Sequence, residues 1–324
     1  MIYSRIIGTG SHLPKKVVTN HDLEKILDTD DQWIRDRTGI RERRISSAEE
    51  PTTVLAENAC RKALEAADVD PGEIDLLVLG TTTPDLIFPS SACLIQKKLG
   101  LPDCGAMDVN AACSGFIYAL SIADKFIRCG DAKKVLVCGA ETLSSLINWN
   151  KRETAVIFGD GAGAMVLEAS AEPGILSTHI HANGNYADLL NTEVGVSRGF
   201  EGLKDNDGKA ELMMKGNEVF KVAVRTLGRI VDETLAANNM DKSELDWLIP
   251  HQANLRIISA TARKLDMNME QVVVTVDRHG NTSAASVPLA LDEAVRDGRI
   301  KRGDMLLLEA FGGGFTWGSA LIKF

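Results

Sequence analysis

The stretch "RKALEAADVDPGEIDLLVLGTTTPD" (61–85) has a counterpart in "DETLAANNMDKSELDWLIPHQANLR" (232–256). Each reads as a helix, a short acidic turn and a strand opened by an aspartate. Asp75 and Asp246 are 171 positions apart, as are Leu64 and Leu235. Farther on, "ALSIADKFIRCGDAKKVLVCGAE" (119–141) lies against "ALDEAVRDGRIKRGDMLLLEAFG" (290–312) at the same offset, with the register slipping by a few residues between the matched blocks. A repeat of this length is a duplicated domain rather than a solenoid unit. The apolar runs Leu76–Leu79, Val135–Val137 and Leu306–Leu308 carry no alternation, which places them in strands covered by helices on both faces. The predicted fold class is α/β, with two duplicated halves, 1–170 and 171–324. No linker rich in Pro, Gly or Ser divides them, so they are expected to share one body. The polar, Gly-containing segment 191–211 is expected to be a long surface loop.

Composition narrows the function classes. A chain of 324 residues, 44% hydrophobic and 25% charged, has an ordinary globular balance and the length to bury a large core. Its start, "MIYSRIIGTGSHLP", lacks the apolar core of a signal peptide, and no apolar run reaches membrane-spanning length. A cytoplasmic protein with no membrane insertion is therefore expected. Six cysteines (60, 93, 104, 113, 129 and 138) all fall in the first half without a CxxC pair, which suggests free thiols rather than disulfides or zinc. A formal net charge of −9 argues against nucleic acid as a partner. An acidic ligand must instead find a local basic patch.

Three strand ends carry residues suited to chemistry. In "AMDVNAACSGFIYAL" (106–120) a strand hands over to a helix through small residues, with Cys113 between them. A cysteine is often just a small buried hydrophobe, the reading given to the other five. At a helix N-terminus the dipole and free N–H groups favour the thiolate instead. The repeat sets this segment against "TVDRHGNTSAAS" (275–286), so that Cys113 and Asn281 approach one cleft from opposite sides, while "WLIPHQAN" delivers His251. A thiol nucleophile needs such a proton-handling or hydrogen-bonding partner and donors for an oxyanion. The glycines of "EAFGGGFTWG" (309–318) would let the backbone supply one. Two other motifs read as structural. "HIH" (179–181) has no third metal ligand at the usual spacing, and "FGDGAG" (158–163) lacks the following helix of a phosphate loop and reads as a turn on the site floor.

Taken together, "DVNAACSGF", "PHQANLRI", "DRHGNTSAAS" and "EAFGGGFTWGSAL" resemble the motifs of the β-ketoacyl-acyl-carrier-protein synthase III family, the initiating condensing enzymes of the thiolase superfamily. The resemblance runs from "IIGTGSHLP" to the C-terminus. It implies a five-layered αβαβα fold and a catalytic set of Cys113, His251 and Asn281. It also implies oxyanion donors at the backbone N–H groups of Cys113 and Gly313. The implied reaction is ping-pong. Cys113 takes an acyl group, typically acetyl, from coenzyme A, and malonyl-carrier protein then decarboxylates and attacks the thioester. No permanently bound cofactor and no metal is implied, and the family forms homodimers. Ser114 and Asn110 depart from residues frequent in the family, which leaves starter preference open.

The family positions for coenzyme A correspond to Thr29, Trp33, Arg37, Arg152, Asn217, Phe220 and Asn254, with Trp33 and Arg152 implied to sandwich the adenine. "WIRDRTGIRERR" (33–44) alone reads as a solvated basic face, although indole and guanidinium planes also suit a purine and its phosphates. Phe88 matches a position that closes the partner subunit's acyl pocket. For an acidic carrier protein, Arg256 and Arg263 share one helical face with Lys264 beside them, and Lys221 would join the patch. The competing readings are a related condensing enzyme acting on longer or branched acyl-CoA or a secondary-metabolite precursor, and a non-catalytic carrier-binding protein. A degradative thiolase expects a second cysteine in the C-terminal half, which has none, and an elongating condensing enzyme would have a second histidine where Asn281 stands.

Overall fold

The computed structural model describes residues 2–192, 194–198 and 210–324. Its first sheet holds Tyr3–His12 (β1), Leu76–Gly80 (β2), Gly105–Val109 (β3), Lys134–Thr142 (β4) and Asp160–Ser170 (β5), in the spatial order β1-β5-β4-β2-β3. Strands β3, β2 and β4 run parallel, and β5 is antiparallel to both its neighbours. The second sheet holds Ile175–Ala182 (β6), Trp247–Pro250 (β7), Met305–Gly312 (β8) and Thr316–Lys323 (β9), in the order β7-β8-β9-β6. Here β7 and β8 are parallel and the other pairs antiparallel.

Seven described α-helices have eight residues or more: Asp31–Thr38 (α1), Thr52–Ala67 (α2), Ser91–Leu99 (α3), Gly115–Cys129 (α4), Gly216–Ala237 (α5), Leu255–Lys264 (α6) and Ser286–Arg296 (α7). Side-chain alternation within the buried strands decides the layering. Leu76 and Val78 face inward with Phe116 and Ile117 of α4, Leu291 of α7, and Leu306 and Leu308 of β8. Leu77 and Leu79 face outward against Leu55 and Ala59 of α2 and Ile95 of α3. Leu307 and Leu321 meet Val231 of α5 and Ile258 of α6 on the far side of the second sheet. Helices α4 and α7 thus form the middle of an αβαβα stack. None of the described helices is long and apolar enough to cross a membrane.

The 171-residue offset survives in local detail. Asp70 and Asp241 each open a short turn through a capping box closed by Glu73 and Glu244. Asp75 accepts the backbone N–H of Lys134, and Asp246 that of Met305, so each aspartate ties a strand start to its parallel neighbour. At the turns before α4 and α7 the register does not slip. The same offset pairs Asn110 with Asn281, Ala112 with Ser283 and Gly115 with Ser286. Ala112 (φ 46°) and Ser283 (φ 50°) both adopt the left-handed conformation, at a cost on the order of 1 kcal/mol or more each in side chains with a Cβ. Two strained turns therefore face each other across the duplication.

Three expectations change. Among the described residues the second half has no counterpart of β3: only an isolated bridge joins Leu248 to Val272, and the segment before Asn281, expected to be a strand end, is the short helix Val276–His279. The Gln252 side chain takes over instead, donating to the carbonyls of Pro250 and Val273 and accepting from the N–H groups of Thr275 and Val276. "FGDGAG" is not a turn, because its last four residues open β5. There Gly163 lies against α7, where a Cβ would sit 2.6 Å from the Leu289 nitrogen. Segment 191–211 is bracketed by an antiparallel pair of Leu190–Thr192 with Leu212–Met214, while 193 and 199–209 lie outside the described residues.

The halves meet through glycine. A Cβ on Gly139 of β4 would stand 2.4 Å from the Ala284 carbonyl oxygen, and one on Gly115 of α4 3.3 Å from the Ala284 Cβ. Gly139→Ala is expected to lower stability by about 1–3 kcal/mol through overpacking, read as a lower denaturation midpoint with an unchanged denaturant slope.

Candidate active site

Cys113 lies on the short turn Ala112–Ser114 that leads into α4 and is 7% exposed. The glycine loop after β8 packs on that turn, since a Cβ on Gly312 would be 2.6 Å from the Cys113 nitrogen. Thr316 Oγ1 donates to the Ala111 carbonyl at 2.7 Å, and Ser114 Oγ to the Thr316 carbonyl at 3.0 Å. The position at a helix start agrees with the sequence, whereas the expected acidification does not follow. Burial pushes the thiol up to about 12, opposed by the nearby Ser283 side chain and reinforced by the nearby Glu141. The thiol is neutral at rest.

His251 follows β7, and its backbone N–H donates to the Glu309 carbonyl. Burial holds its imidazole down at about 3, so it is uncharged at neutral pH. Its Nδ1 is 2.6 Å from Ser286 Oγ. That oxygen accepts the Gln252 N–H, and among the described residues its own proton has no acceptor other than Nδ1. Nε2 therefore carries the imidazole proton and presents a donor. Asn281 Oδ1 accepts the Ser283 N–H at 2.9 Å, which leaves the amide nitrogen as the part of the side chain free to donate. The site thus combines a neutral thiol with two neutral hydrogen-bond donors.

Cys113, His251 and Asn281 line one cavity of about 490 Å³. Trp33, Arg37, Asn217, Phe220, Asn254 and Arg256 line the same space. Trp33 and Arg37 are one turn apart on α1, with the guanidinium 4.2 Å from the indole centroid. Arg152 covers the indole at 4.4 Å, close enough that a purine between them requires the guanidinium to move aside. Asn217 and Phe220 share a face of α5, and Asn254 caps α6 by accepting the Ile257 N–H. Thr29 does not line the cavity, and its hydroxyl is buried without a hydrogen-bond partner.

A second cavity, of about 750 Å³, opens on the other side of Cys113, with Gly313, Ile87 and Leu143 among its lining residues. Phe88 is not in that lining; it is 83% exposed beside the exposed Ile87 and Leu86. Lys221, Arg256, Arg263 and Lys264 are all exposed. Lys264 pairs with Asp232, and the Arg256 guanidinium lies 5.1 Å from the Phe220 centroid. The "HIH" histidines meet Glu233 of α5, a contact that no local spacing foretold.

The sequence reading passed over Phe311 in the first cavity, and Ser283, Ser286 and Glu141 behind it. The repeat held a signal for the serines, which stand where the first half has Ala112 and Gly115.

Residues 107–184 match the family described as 3-oxoacyl-[acyl-carrier-protein] synthase III, and residues 235–324 match its C-terminal family. A β-ketoacyl-[acyl-carrier-protein] synthase III of Xanthomonas campestris pv. campestris is 68% identical over 323 residues, covering 100% of this chain and 99% of its own. The crystal structure of 3-oxoacyl-[acyl-carrier-protein] synthase III from Aquifex aeolicus VF5 is 49% identical and superposes with a TM-score of 0.93, covering 99% of this chain and 100% of that one. The priming β-ketosynthase of the R1128 polyketide biosynthetic pathway is 37% identical, with a TM-score of 0.93 over 99% of this chain and 96% of that one.

The buried charge pattern predicts how stability depends on pH. Burial raises the Glu309 carboxyl to about 8; the Thr261 hydroxyl approaches it, but neither carboxyl oxygen has a partner in hydrogen-bond geometry. The folded state therefore holds this proton more tightly than the unfolded chain. Its contribution is complete below the ordinary carboxylate range and is lost as pH rises through about 8. Thermal unfolding from about pH 6 to 8.5 should show a falling midpoint, with roughly 2 kcal/mol of the loss due to this group. Glu309→Gln should flatten that fall.

Proposed function

The chain belongs to the 3-oxoacyl-[acyl-carrier-protein] synthase III family, and from that premise we propose the following course for its reaction. As a member it is an acyltransferase, a condensing enzyme that initiates fatty acid synthesis. Its starter is acetyl-CoA, bound with the nucleotide near Trp33, Arg37 and Arg152 and the pantetheine along Asn217, Phe220 and Asn254, without the expected contact from Thr29. The Cys113 sulfur attacks the thioester carbonyl, and the oxyanion is held by the backbone N–H groups of Cys113 and Gly313. Coenzyme A leaves and the acyl-cysteine remains.

Malonyl-carrier protein then docks on Arg256, Arg263, Lys264 and Lys221. Its thioester oxygen accepts from His251 Nε2–H and the Asn281 amide, so that negative charge developing during decarboxylation meets two preset donors. The carbanion attacks the acyl-cysteine and releases the β-ketoacyl product. The observation that carries this reading is the convergence of Cys113, His251 and Asn281 on one cavity, with hydrogen bonds that leave both partners as donors. A cytoplasmic location fits these substrates. In the homodimer, Phe88 of each subunit enters the second cavity of the other, which suits its exposure in one chain. The size of that cavity favours a second reading, a longer or branched starter.

Intact-mass analysis after incubation with an acyl-CoA panel tests the reading. One acetyl group should appear on the wild type and none on Cys113→Ala. His251→Ala and Asn281→Ala should still acylate but lose on the order of a hundredfold in decarboxylation of malonyl-carrier protein. Acetylation persisting in Cys113→Ala contradicts the nucleophile. For docking, Arg263→Glu should slow the carrier-protein half-reaction and weaken its salt dependence while sparing acylation of Cys113. An equal loss in both half-reactions places the carrier protein elsewhere.

A further inference from the structure

Acylation of Cys113 must remove its proton, and His251 Nε2, already protonated, has no lone pair to take it. Behind the sulfur lies a second buried chain of groups. Ser283 lines the same cavity as Cys113, close enough for its side chain to act on the thiol, and its hydroxyl donates to Glu141 Oε1 at 3.1 Å. Glu141, near the end of β4, is completely buried. It accepts from the Thr82 backbone N–H and from the hydroxyls of Thr81, Thr82 and Thr83, the last at 2.6 Å. Among the described residues it has no cationic partner. Every bond favours the carboxylate while burial opposes it.

We propose that Glu141, acting through the Ser283 hydroxyl, takes the Cys113 proton during acylation and returns it when the acyl group departs. The relay rests on the acyl-cysteine chemistry proposed for this site. As the Sγ–carbon bond forms, the thiol proton passes to Ser283 Oγ and the Ser283 proton to Glu141 Oε1. The bond between acyl carbon and coenzyme A sulfur breaks, and that thiolate takes a proton from water. In the second half-reaction the electron pair left by carbon dioxide forms the new carbon–carbon bond. The Cys113 thioester breaks, and its thiolate recovers a proton from Ser283, which regains one from Glu141. One solvent proton is consumed per cycle, balancing the carboxylate lost as carbon dioxide. While the acyl-enzyme waits, Glu141 is neutral, so no fixed negative charge opposes the enolate nearby.

Burial raises the Glu141 carboxyl to about 7, close to the pH at which a proton acceptor works best. The ionisable groups around it are otherwise engaged or neutral. Cys113 is its partner through Ser283, and His251 is held by Ser286. Asp160 on the adjoining β5 accepts from Ser46 and Ser144, and Asp85 in the loop after β2 accepts from Thr53.

The test follows Cys113 acylation by acetyl-CoA, and its alkylation by iodoacetamide, from about pH 5.5 to 9 in the wild type, Glu141→Gln, Glu141→Asp and Ser283→Ala. Thermal unfolding confirms that each variant is folded. Both wild-type rates should rise through an inflection near neutral pH. Glu141→Gln and Ser283→Ala should lose that inflection and slow on the order of a hundredfold, whereas Glu141→Asp should keep a titrating step. If Glu141→Gln keeps the wild-type inflection, whether at full speed or uniformly slowed, the residue only braces the Thr81–Thr83 segment and the relay is overturned. If acetyl-CoA leaves the wild type unmarked, the acyl-cysteine reading fails by itself. Alkylation then still decides whether Glu141 governs the thiol.

Discussion

Everything at this site depends on how closely two helix-start turns are pressed together between the sheets. Gly139 and Gly80 leave no room for a Cβ beside Ala284 and Gly115, and Gly312 leaves none beside the Cys113 nitrogen. These contacts bring the ends of β2, β4 and β8 onto the starts of α4 and α7. The left-handed Ala112 and Ser283 are the strained part of the same arrangement. The duplication is therefore more than a record of how the chain is organised, since it supplies two matching turns whose meeting forms a buried compartment.

Burial sets the charge states. The thiol and the Glu309 carboxyl are pushed up and the His251 imidazole down, in each case chiefly by burial. A neutral imidazole fixed by Ser286 and an amide fixed by the Ser283 N–H act as oriented donors. In a medium of low polarity such donors contribute more to a developing negative charge than they would in water, and they need no reorganisation as it forms.

Much of this was legible in the sequence. The buried strands showed as apolar runs without alternation, and Asp75 and Asp246 marked their starts through bonds that the structure repeats at the same offset. Cys113 and His251 stood out because each follows a strand end, and Asn281 through the repeat, although the helical turn Val276–His279 and not a strand precedes it; the structure gathers all three in one cavity. The charge state was not legible. A cysteine at a helix start suggests an acidified thiol, but burial outweighs that local field, and burial depends on contacts between residues far apart in the chain. Ser283, Ser286 and Glu141 read as ordinary turn and strand residues for the same reason: their partners are 142 positions away for Ser283 with Glu141 and 35 for Ser286 with His251. The Gln252 amide that replaces a missing strand was hidden likewise, because a side chain standing in for backbone leaves no periodic trace.

The central claim is that the compartment holds its reactive groups uncharged and oriented. Nitrogen-15 NMR of histidine-labelled protein, with His251→Asn used to assign the resonance, reads this directly. The account predicts that His251 stays neutral from about pH 5 to 8, where a free imidazole would titrate, with its proton on Nε2. An imidazole that titrates near its ordinary value, or carries its proton on Nδ1, would contradict it.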